Sequence, residues 1–130
     1  MPASSNFVLA KGYPAAVAIT KKLAVKFVGD GTQGVTPVTG IADQPCGVAL
    51  FSVSSAEITK GKKASIMTEG RVVMTAAGAI NEGQLVCIDA AGKAKAASTG
   101  ARVIGICDEP ASGLDTDCSV TLRLPGLLSP

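Results

Sequence analysis

The sequence predicts an all-β protein, a small β-barrel or β-tulip-like sandwich with at most one short helix and an extended N-terminal arm. Turn residues recur about every 8–12 positions, and short apolar segments lie between them. No amphipathic segment is long enough for a substantial helix. A chain of 130 residues has the length of one domain. We therefore expect an arm over residues 1–14, a single β domain over 15–126 and a short tail over 127–130.

The N-terminal elements begin with an apolar stretch that needs a partner. Phe7–Ala10 is apolar, and Gly12 and Pro14 interrupt the chain directly after it. This stretch pairs either with the domain's own sheet or with the sheet of a neighbouring subunit. Two short strands are predicted next, over Ala15–Thr20 and, with clearer alternation, over Leu23–Val28.

The central part of the chain combines a loop, a buried strand and one helical turn. Thr32–Gln44 is rich in Gly, Thr and Pro, which indicates an extended loop or an irregular edge strand. Cys46–Val53 has almost no polar interruption and is expected to be a buried strand. Ser54–Lys60 is predicted to form a short helical turn that Ser54 or Ser55 caps.

A hairpin is predicted around Glu69-Gly70. Lys62–Thr68 and Arg71–Thr75 flank this dipeptide, and glycine accepts the positive φ that a tight turn requires. A further turn is expected over Ala76–Gly83, which contains two glycines.

A second hairpin is predicted in the C-terminal half of the chain. Gln84–Ile88 and Ala94–Ser98 are its strands, and Asp89–Lys93 is its tip. Arg102–Cys107 is the next strand, and a long polar loop follows over Asp108–Asp117.

The final strand, Cys118–Leu124, has the most regular period-two alternation in the chain. It also completes a pseudo-repeat, because Cys46–Gly70 and Val103–Gly126 share the same order of strand, polar loop, strand and glycine turn. Gly47 and Gly105 occupy corresponding places in these two segments. Two such halves indicate one small closed or sandwiched β domain.

The composition favours assembly over binding to nucleic acid or membrane. Charged residues are 17% of the chain and aromatic residues 3%, so much of the surface carries small, weakly polar side chains. We expect part of this surface to be hidden in an assembly; a compact monomer with a neutral surface is the alternative. The net charge is +2, and the chain has no clustered basic patch interleaved with aromatic residues, so no nucleic-acid partner is expected.

No membrane span and no secretory signal are predicted, so synthesis in the cytoplasm is expected. The four cysteines show no CxxC spacing and the chain contains no histidine, which argues against a zinc site. Cys87, Cys107 and Cys118 fit buried small hydrophobic residues in a reducing compartment. A Cys107–Cys118 disulfide is the alternative.

No catalytic residue, cofactor site or metal site is predicted. The absence of histidine removes the commonest general base and the Ser-His and Cys-His pairs. The carboxylates lie mostly beside Gly or Pro in turns, where they favour turn formation and solubility. The densest acidic region, Asp108-Glu109 with Asp115 and Asp117, is a weak alternative for a divalent cation. Lys93 on its hairpin tip is a weak alternative for a lipoyl or biotinyl carrier site.

From Gly47 to Gly126 the chain resembles the capsid decoration, or structural cement, proteins of tailed bacteriophages. The resemblance rests on the order and spacing of short motifs: Gly47-Val48-Ala49, Gly61–Ile66 with Glu69-Gly70, Gly83–Val86, Asp89–Lys93, Ile104–Cys107 and Cys118–Leu122. It implies a β-barrel or β-tulip domain, often trimeric, on the outer face of the virion capsid. It further implies a non-enzymatic structural protein that binds the major capsid protein, bridges its subunits and stabilises the head.

The expected partner contacts lie in the apolar termini. The candidate residues are Phe7, Val8, Leu9, Lys11, Tyr13, Leu127 and Leu128. The arm is expected to add a strand to a neighbouring sheet edge, where main-chain hydrogen bonds supply affinity. The alternative function is a non-enzymatic receptor- or glycan-binding module of a phage tail or bacterial surface, although the few aromatic residues argue against a glycan site. A small hydrolase or carrier domain is the least favoured hypothesis.

Overall fold

The computed structural model describes residues 9–123 and confirms the all-β fold class. Antiparallel strands form one curled, half-barrel sheet, and one short helix lies within the described range. The strands are β1 Leu9–Pro14, β2 Ala24–Phe27, β3 Val35–Pro37, β4 Gly47–Ala49, β5 Lys63–Thr75, β6 Leu85–Ile88, β7 Ala94–Ala96, β8 Val103–Glu109 and β9 Asp117–Leu122, and the helix α1 is Ser55–Thr59.

The strands of the N-terminal half and those of the C-terminal half are arranged in the same pairing pattern, so the sheet has equivalent strands at its two ends. The strand order runs β3-β2-β4-β5-β9-β8-β6-β7, with β1 paired to β5. In the N-terminal half, β2 pairs with β3 and β4, and both β4 and β1 pair with the first part of β5. In the C-terminal half, β6 pairs with β7 and β8, and both β8 and the last part of β5 pair with β9. The pseudo-repeat of the sequence is therefore a repeat of topology.

Single bridges outside the strands repeat in the same way. In each half, the residue after a long strand forms a parallel bridge to the first residue of the outermost strand. Ala15, after β1, bridges β3, and Ala76, after β5, bridges β7, which curls each half into a barrel-like shape. The corresponding bridges are Ala15–Val35 and Ile19–Val53 in the N-terminal half, and Ala76–Ala94 and Ile80–Ala111 in the C-terminal half. The predicted strand over Ala15–Thr20 contributes only these bridges.

The predicted hairpin at Glu69-Gly70 is wrong. β5 continues through both residues, although Gly70 has a φ of +100°. The strand pairs with β1 over Lys63–Glu69 and with β9 over Gly70–Thr75. Gly70 thus lies where one long strand passes from the first half to the second. Its positive φ marks this passage and not a chain reversal.

The helical turn and the second hairpin are confirmed. Ser54 caps α1: its Oγ accepts a hydrogen bond from the Glu57 N–H at 3.2 Å, and the Glu57 carboxylate accepts from the Ser54 N–H at 2.9 Å. At the β6–β7 tip, the Asp89 N–H donates to the Lys93 carbonyl at 2.9 Å, and Gly92 has a φ of +84°.

Each half has an apolar interior built from equivalent positions. The N-terminal interior comprises Ala15, Ile19, Val25, Val35, Ala49, Val53, Ala64 and Ile66. The C-terminal residues at the matching register positions are Ala76, Ile80, Val86, Ala94, Cys107, Ala111, Cys118 and Val120. The latter belong to a larger cluster that also fills the junction between the halves. The four cysteines are free thiols, and a Cys107–Cys118 disulfide is not formed.

The two halves meet through unlike surfaces. The Ala24 N–H donates to the Gly92 carbonyl at 2.9 Å, and the Thr75 N–H donates to the Lys22 carbonyl at 3.1 Å. The Arg102 N–H donates to a carbonyl of the loop before β4 in the same region. The surface that the N-terminal half contributes therefore differs from the surface that the C-terminal half contributes, which is a head-to-tail arrangement.

Candidate partner-contact surface

A groove of about 360 Å³ runs beside β1 on the surface of the N-terminal half. Its lining residues are Lys11, Tyr13, Phe27, Gln44, Pro45, Cys46 and Thr68. Two of them, Lys11 and Tyr13, are sequence-predicted contact residues. Their strand is held in place by its pairing with β5, in which Lys11 lies opposite Ile66 and Tyr13 opposite Ala64.

An aromatic pair forms one wall of the groove. The rings of Tyr13 and Phe27 pack edge to face, with 5.3 Å between centroids and an interplanar angle of 84°. This is a favoured arrangement for two aromatic rings. The Phe27 side chain remains 45% exposed despite this contact. An exposed aromatic ring at the rim of a groove is typical of an interaction surface.

The other predicted contact residues are not brought into this groove by the described structure. The Leu9 backbone pairs with Glu69 at the start of β1, where the register shifts before Ala10. Phe7, Val8, Leu127 and Leu128 lie outside residues 9–123. The proposed contacts of the arm and the tail stay predictions.

Sequence reasoning missed Phe27 and Cys46 as groove residues. The alternation over Leu23–Val28 puts Val25 and Phe27 on one face of the strand. Val25 is buried, whereas Phe27 is half-exposed. Cys46 is partly exposed, and burial raises the pKa of its thiol to about 11. The thiol is therefore protonated at neutral pH and contributes to the groove as a small apolar group.

A loop shaped by one carboxylate borders the groove and reaches the C-terminal half. The Asp43 carboxylate accepts hydrogen bonds from the Thr39 N–H at 2.9 Å, the Gly40 N–H at 3.0 Å and the Lys26 Nζ at 3.0 Å. These bonds, led by the one from Thr39, lower the pKa of Asp43 to about 2. The carbonyls of this loop accept hydrogen bonds from Arg102, so Asp43 helps to hold the two halves together.

A second exposed apolar patch lies on the C-terminal half. Leu85 of β6 and Ile106 of β8 are cross-strand partners, and both are exposed, at 51% and 37%. Two large apolar side chains exposed side by side on neighbouring strands form a contiguous patch, and contiguous apolar patches mark interaction sites. An uncovered pair of this size is a second candidate contact surface.

The carboxylates of the acidic region pair with lysine and arginine side chains. Asp108 and Glu109 pair with Arg71, whereas Asp115 pairs with Lys93 at 2.7 Å and Asp117 pairs with Lys22 at 2.9 Å. Each carboxylate thus faces a lysine or arginine. Between residues 9 and 123, no group of three metal-ligating side chains is suitably placed to hold an ion. Lys93, the alternative carrier lysine, is held by Asp115, which raises its pKa.

No helix in the described range has the length and apolar character needed to cross a bilayer.

Comparison with family models matched residues 4–116 to the family described as structural cement protein (E217 gp24/Pam3 gp6). The chain belongs to this phage structural cement protein family. The match includes the N-terminal third, where the resemblance read from the sequence was weakest. Membership supports a structural role in a phage head and implies a structural protein, not an enzyme.

The fold of this cement protein is similar to that of a solved phage protein, the head fiber gp8.5 N base of bacteriophage phi29. The TM-score is 0.67 at 14% sequence identity, and the similarity covers 95% of this chain and 100% of that one. At this identity the similarity concerns the fold. A search of curated proteins found no match.

Proposed function

We propose that this cement protein binds the outer surface of a phage head as a homotrimer and stabilises the head by bridging neighbouring major capsid protein subunits. The observation that carries the proposal is the family match over residues 4–116. The fold neighbour, a head fiber base, is consistent with a position on the head. The protein would be made in the bacterial host cytoplasm and would join the outer face of the capsid.

The arm is the proposed capsid contact. Residues 1–8 of the arm precede β1, an edge strand that pairs only with β5 among the described residues. Residues 1–8 would leave the domain beside this edge and add a strand to a sheet of the major capsid protein, with Phe7, Val8 and Leu9 as apolar anchors. Strand addition supplies main-chain hydrogen bonds, and alternate side chains supply specificity.

The tail would add a smaller apolar contact. Leu127 and Leu128 follow the last strand after Pro125-Gly126 and would pack on the same capsid surface. A trimer would engage three such surfaces together. Each contact can then be modest, because the second and third binding events occur at a high effective concentration.

Co-sedimentation with phage heads that lack the protein tests this function. We expect the full chain to pellet with the heads. Removal of residues 1–8 should weaken binding by at least about tenfold, since it removes two of the three anchors. Removal of residues 1–5 is the matched control, because it shortens the arm and retains Phe7 and Val8.

The outcomes separate the two parts of the proposal. If the full chain does not pellet with heads, the capsid-binding function is wrong. If the full chain pellets and the variant without residues 1–8 pellets equally well, the capsid contact lies elsewhere and the arm mechanism is wrong.

A further inference from the structure

The contact between the halves covers one specific surface of the C-terminal half. The covered residues are Val72, Met74, Ile88, Ile104 and Leu122, all of which are buried. They share a cluster with residues of the N-terminal half, namely Ala24, Val38, Val48 and Met67. Ala24 and Val48 line a narrow crevice together with Ile104 and Leu122, so the two sets face each other directly.

The equivalent surface of the N-terminal half is the groove beside β1. Register positions match Lys11 to Val72 and Tyr13 to Met74 in the pairings with β5 and β9. By the same rule, Phe27 matches Ile88, Cys46 matches Ile104 and Thr68 matches Leu122. The groove is thus equivalent to the site that the C-terminal half fills with its neighbour, and among residues 9–123 no neighbouring unit fills it.

The N-terminal half covers its neighbour with a surface around Ala24 and Val48, and the equivalent surface of the C-terminal half is exposed. The pair Ala24–Val48 is matched by Leu85–Ile106, because both are cross-strand partners at the same place in the repeat. Ala24 and Val48 are almost completely buried, whereas Leu85 is 51% exposed. Residues 9–123 of one chain therefore carry one filled head-to-tail contact between the halves and, at each end, one surface of the same kind that no other described residue covers.

We propose that the Leu85–Ile106 surface of one chain docks into the Tyr13–Phe27 groove of a second copy of this chain. The contact would repeat the junction within the chain, with the Leu85 N–H donating to the partner's Gly31 as the Ala24 N–H donates to Gly92. Gly31 follows the end of β2 at the same distance as Gly92 follows the end of β6, and the two glycines have φ values of +88° and +84°. Both glycines lie in the connections of their hairpins, and the Gly92 carbonyl is the one that accepts from the N-terminal half within the chain.

This arrangement gives the proposed homotrimer its interface. A contact between unlike surfaces generates a closed ring when the rotation between units closes, and a filament when it does not. Closure buries Leu85, Ile106 and Phe27 in every copy, which removes the largest exposed apolar residues of both faces. The inference rests on the proposed self-association and not on capsid binding.

Native mass spectrometry of the purified chain, without heads, tests the interface. The unmodified chain is expected to give one closed oligomer. Leu85→Asp and Phe27→Asp should each lower the mass to that of a monomer, because each places a carboxylate in an apolar contact. Leu114→Asp is the matched control: Leu114 is also highly exposed and belongs to neither surface, so this variant should keep the oligomer mass.

Mixing the two disrupted variants gives the sharper result. Phe27→Asp retains an intact Leu85–Ile106 surface, and Leu85→Asp retains an intact groove. Their mixture should therefore form a dimer of one chain of each kind and nothing larger. A contact between identical surfaces would not be restored in this way.

Circular dichroism establishes that each variant is folded, and Leu85→Ser and Phe27→Ser replace any aspartate variant that is not. A monomeric unmodified chain would overturn the proposal, as would a folded Leu85→Asp variant that keeps the oligomer mass or a mixture that stays monomeric. Because no heads are present, these failures are distinct from a failure to bind capsids.

Discussion

Gly47 and Gly105 occupy the same position in the two halves, and each lies against the main chain of the neighbouring strand. A Cβ on Gly47 would overlap the Met67 carbonyl oxygen, and a Cβ on Gly105 would overlap the Thr121 carbonyl oxygen. Neither glycine has a positive φ, so the requirement is close approach of the backbone and not conformational freedom. The repeated glycine seen in the sequence therefore has a repeated structural cause.

Gly105→Ala should destabilise the fold. The added Cβ cannot be accommodated without moving β8 away from β9, and overpacking of this kind costs about 1–3 kcal/mol. For a chain of this size, we expect the melting temperature to fall by roughly 5–10 °C. Gly78→Ala is the control, because nothing lies within 4 Å of a Cβ at that position. Equal melting temperatures for the two variants would contradict the close-approach explanation.

The local part of the fold could be predicted from the sequence, whereas the pairing across the repeat could not. The β6–β7 hairpin and the cap of α1 depend on residues a few positions apart, and Asp89, Gly92 and Ser54 are sufficient signals. β5 is different, because its continuation through Gly70 depends on β1 before it and β9 after it. Those partners are distant in sequence, so the glycine was interpreted as a turn.

Asp43 should make stability depend on pH in the acid range. Its pKa is about 2 in the folded state, against an ordinary value of 3.8, so its stabilising effect is complete above pH about 4 and is lost as the pH falls towards 2. Asp43→Asn should lower the free energy of unfolding at pH 7 by roughly 1–2 kcal/mol. Denaturant unfolding at several pH values should show this difference shrinking as the pH approaches 2.

The matched control for Asp43 is Asp115→Asn. Asp115 pairs with Lys93, but its side chain is well exposed, so we expect a small effect at every pH. Asparagine also tolerates the positive φ of 61° at this position. A difference between the Asp43 variant and the unmodified chain that stays constant from pH 7 to pH 2 would refute the role given to the Asp43 carboxylate.

Gly31 and Gly92 should respond differently to alanine, although their backbones are alike. The strain of a positive φ is similar in both, so it cancels in the comparison. A Cβ on Gly92 would lie 2.9 Å from the Ala24 carbonyl oxygen, whereas nothing lies within 4 Å of a Cβ on Gly31. Thermal melts should show Gly92→Ala as the less stable variant.

The same two variants should differ in self-association in the opposite direction to their difference in stability. Gly31 faces the proposed partner copy, so Gly31→Ala should weaken self-association more than Gly92→Ala does. Analytical ultracentrifugation at several concentrations measures this. If both variants associate as strongly as the unmodified chain, the partner copy does not contact Gly31.

Cys46 should report whether the groove is covered. It is the partly exposed cysteine of the four, and its raised pKa of about 11 should make its alkylation by iodoacetamide at pH 8 at least about tenfold slower than that of a small free thiol. The Leu85→Asp variant keeps its own groove intact. It should therefore be alkylated at Cys46 faster than the unmodified chain, as followed by mass spectrometry. Identical rates would mean that the groove is open in both.

The candidate contact surfaces were only partly predictable, for a physical reason. Lys11 and Tyr13 were proposed as contacts because they follow an apolar stretch near a terminus that needs a partner. Leu85 and Ile106 look like ordinary strand residues in the sequence. They are exposed because no unit among residues 9–123 covers them as the C-terminal half covers Ala24 and Val48. Only the arrangement of the two halves reveals this.

Electron cryomicroscopy of heads incubated with this cement protein tests its proposed position on the outer capsid surface. Heads that lack the protein should acquire density on the outside of the shell, where each copy touches more than one major capsid subunit. Shells that remain bare at saturating protein concentration, or copies that each touch a single subunit, would show that the protein does not bridge capsid subunits on the outside of the head.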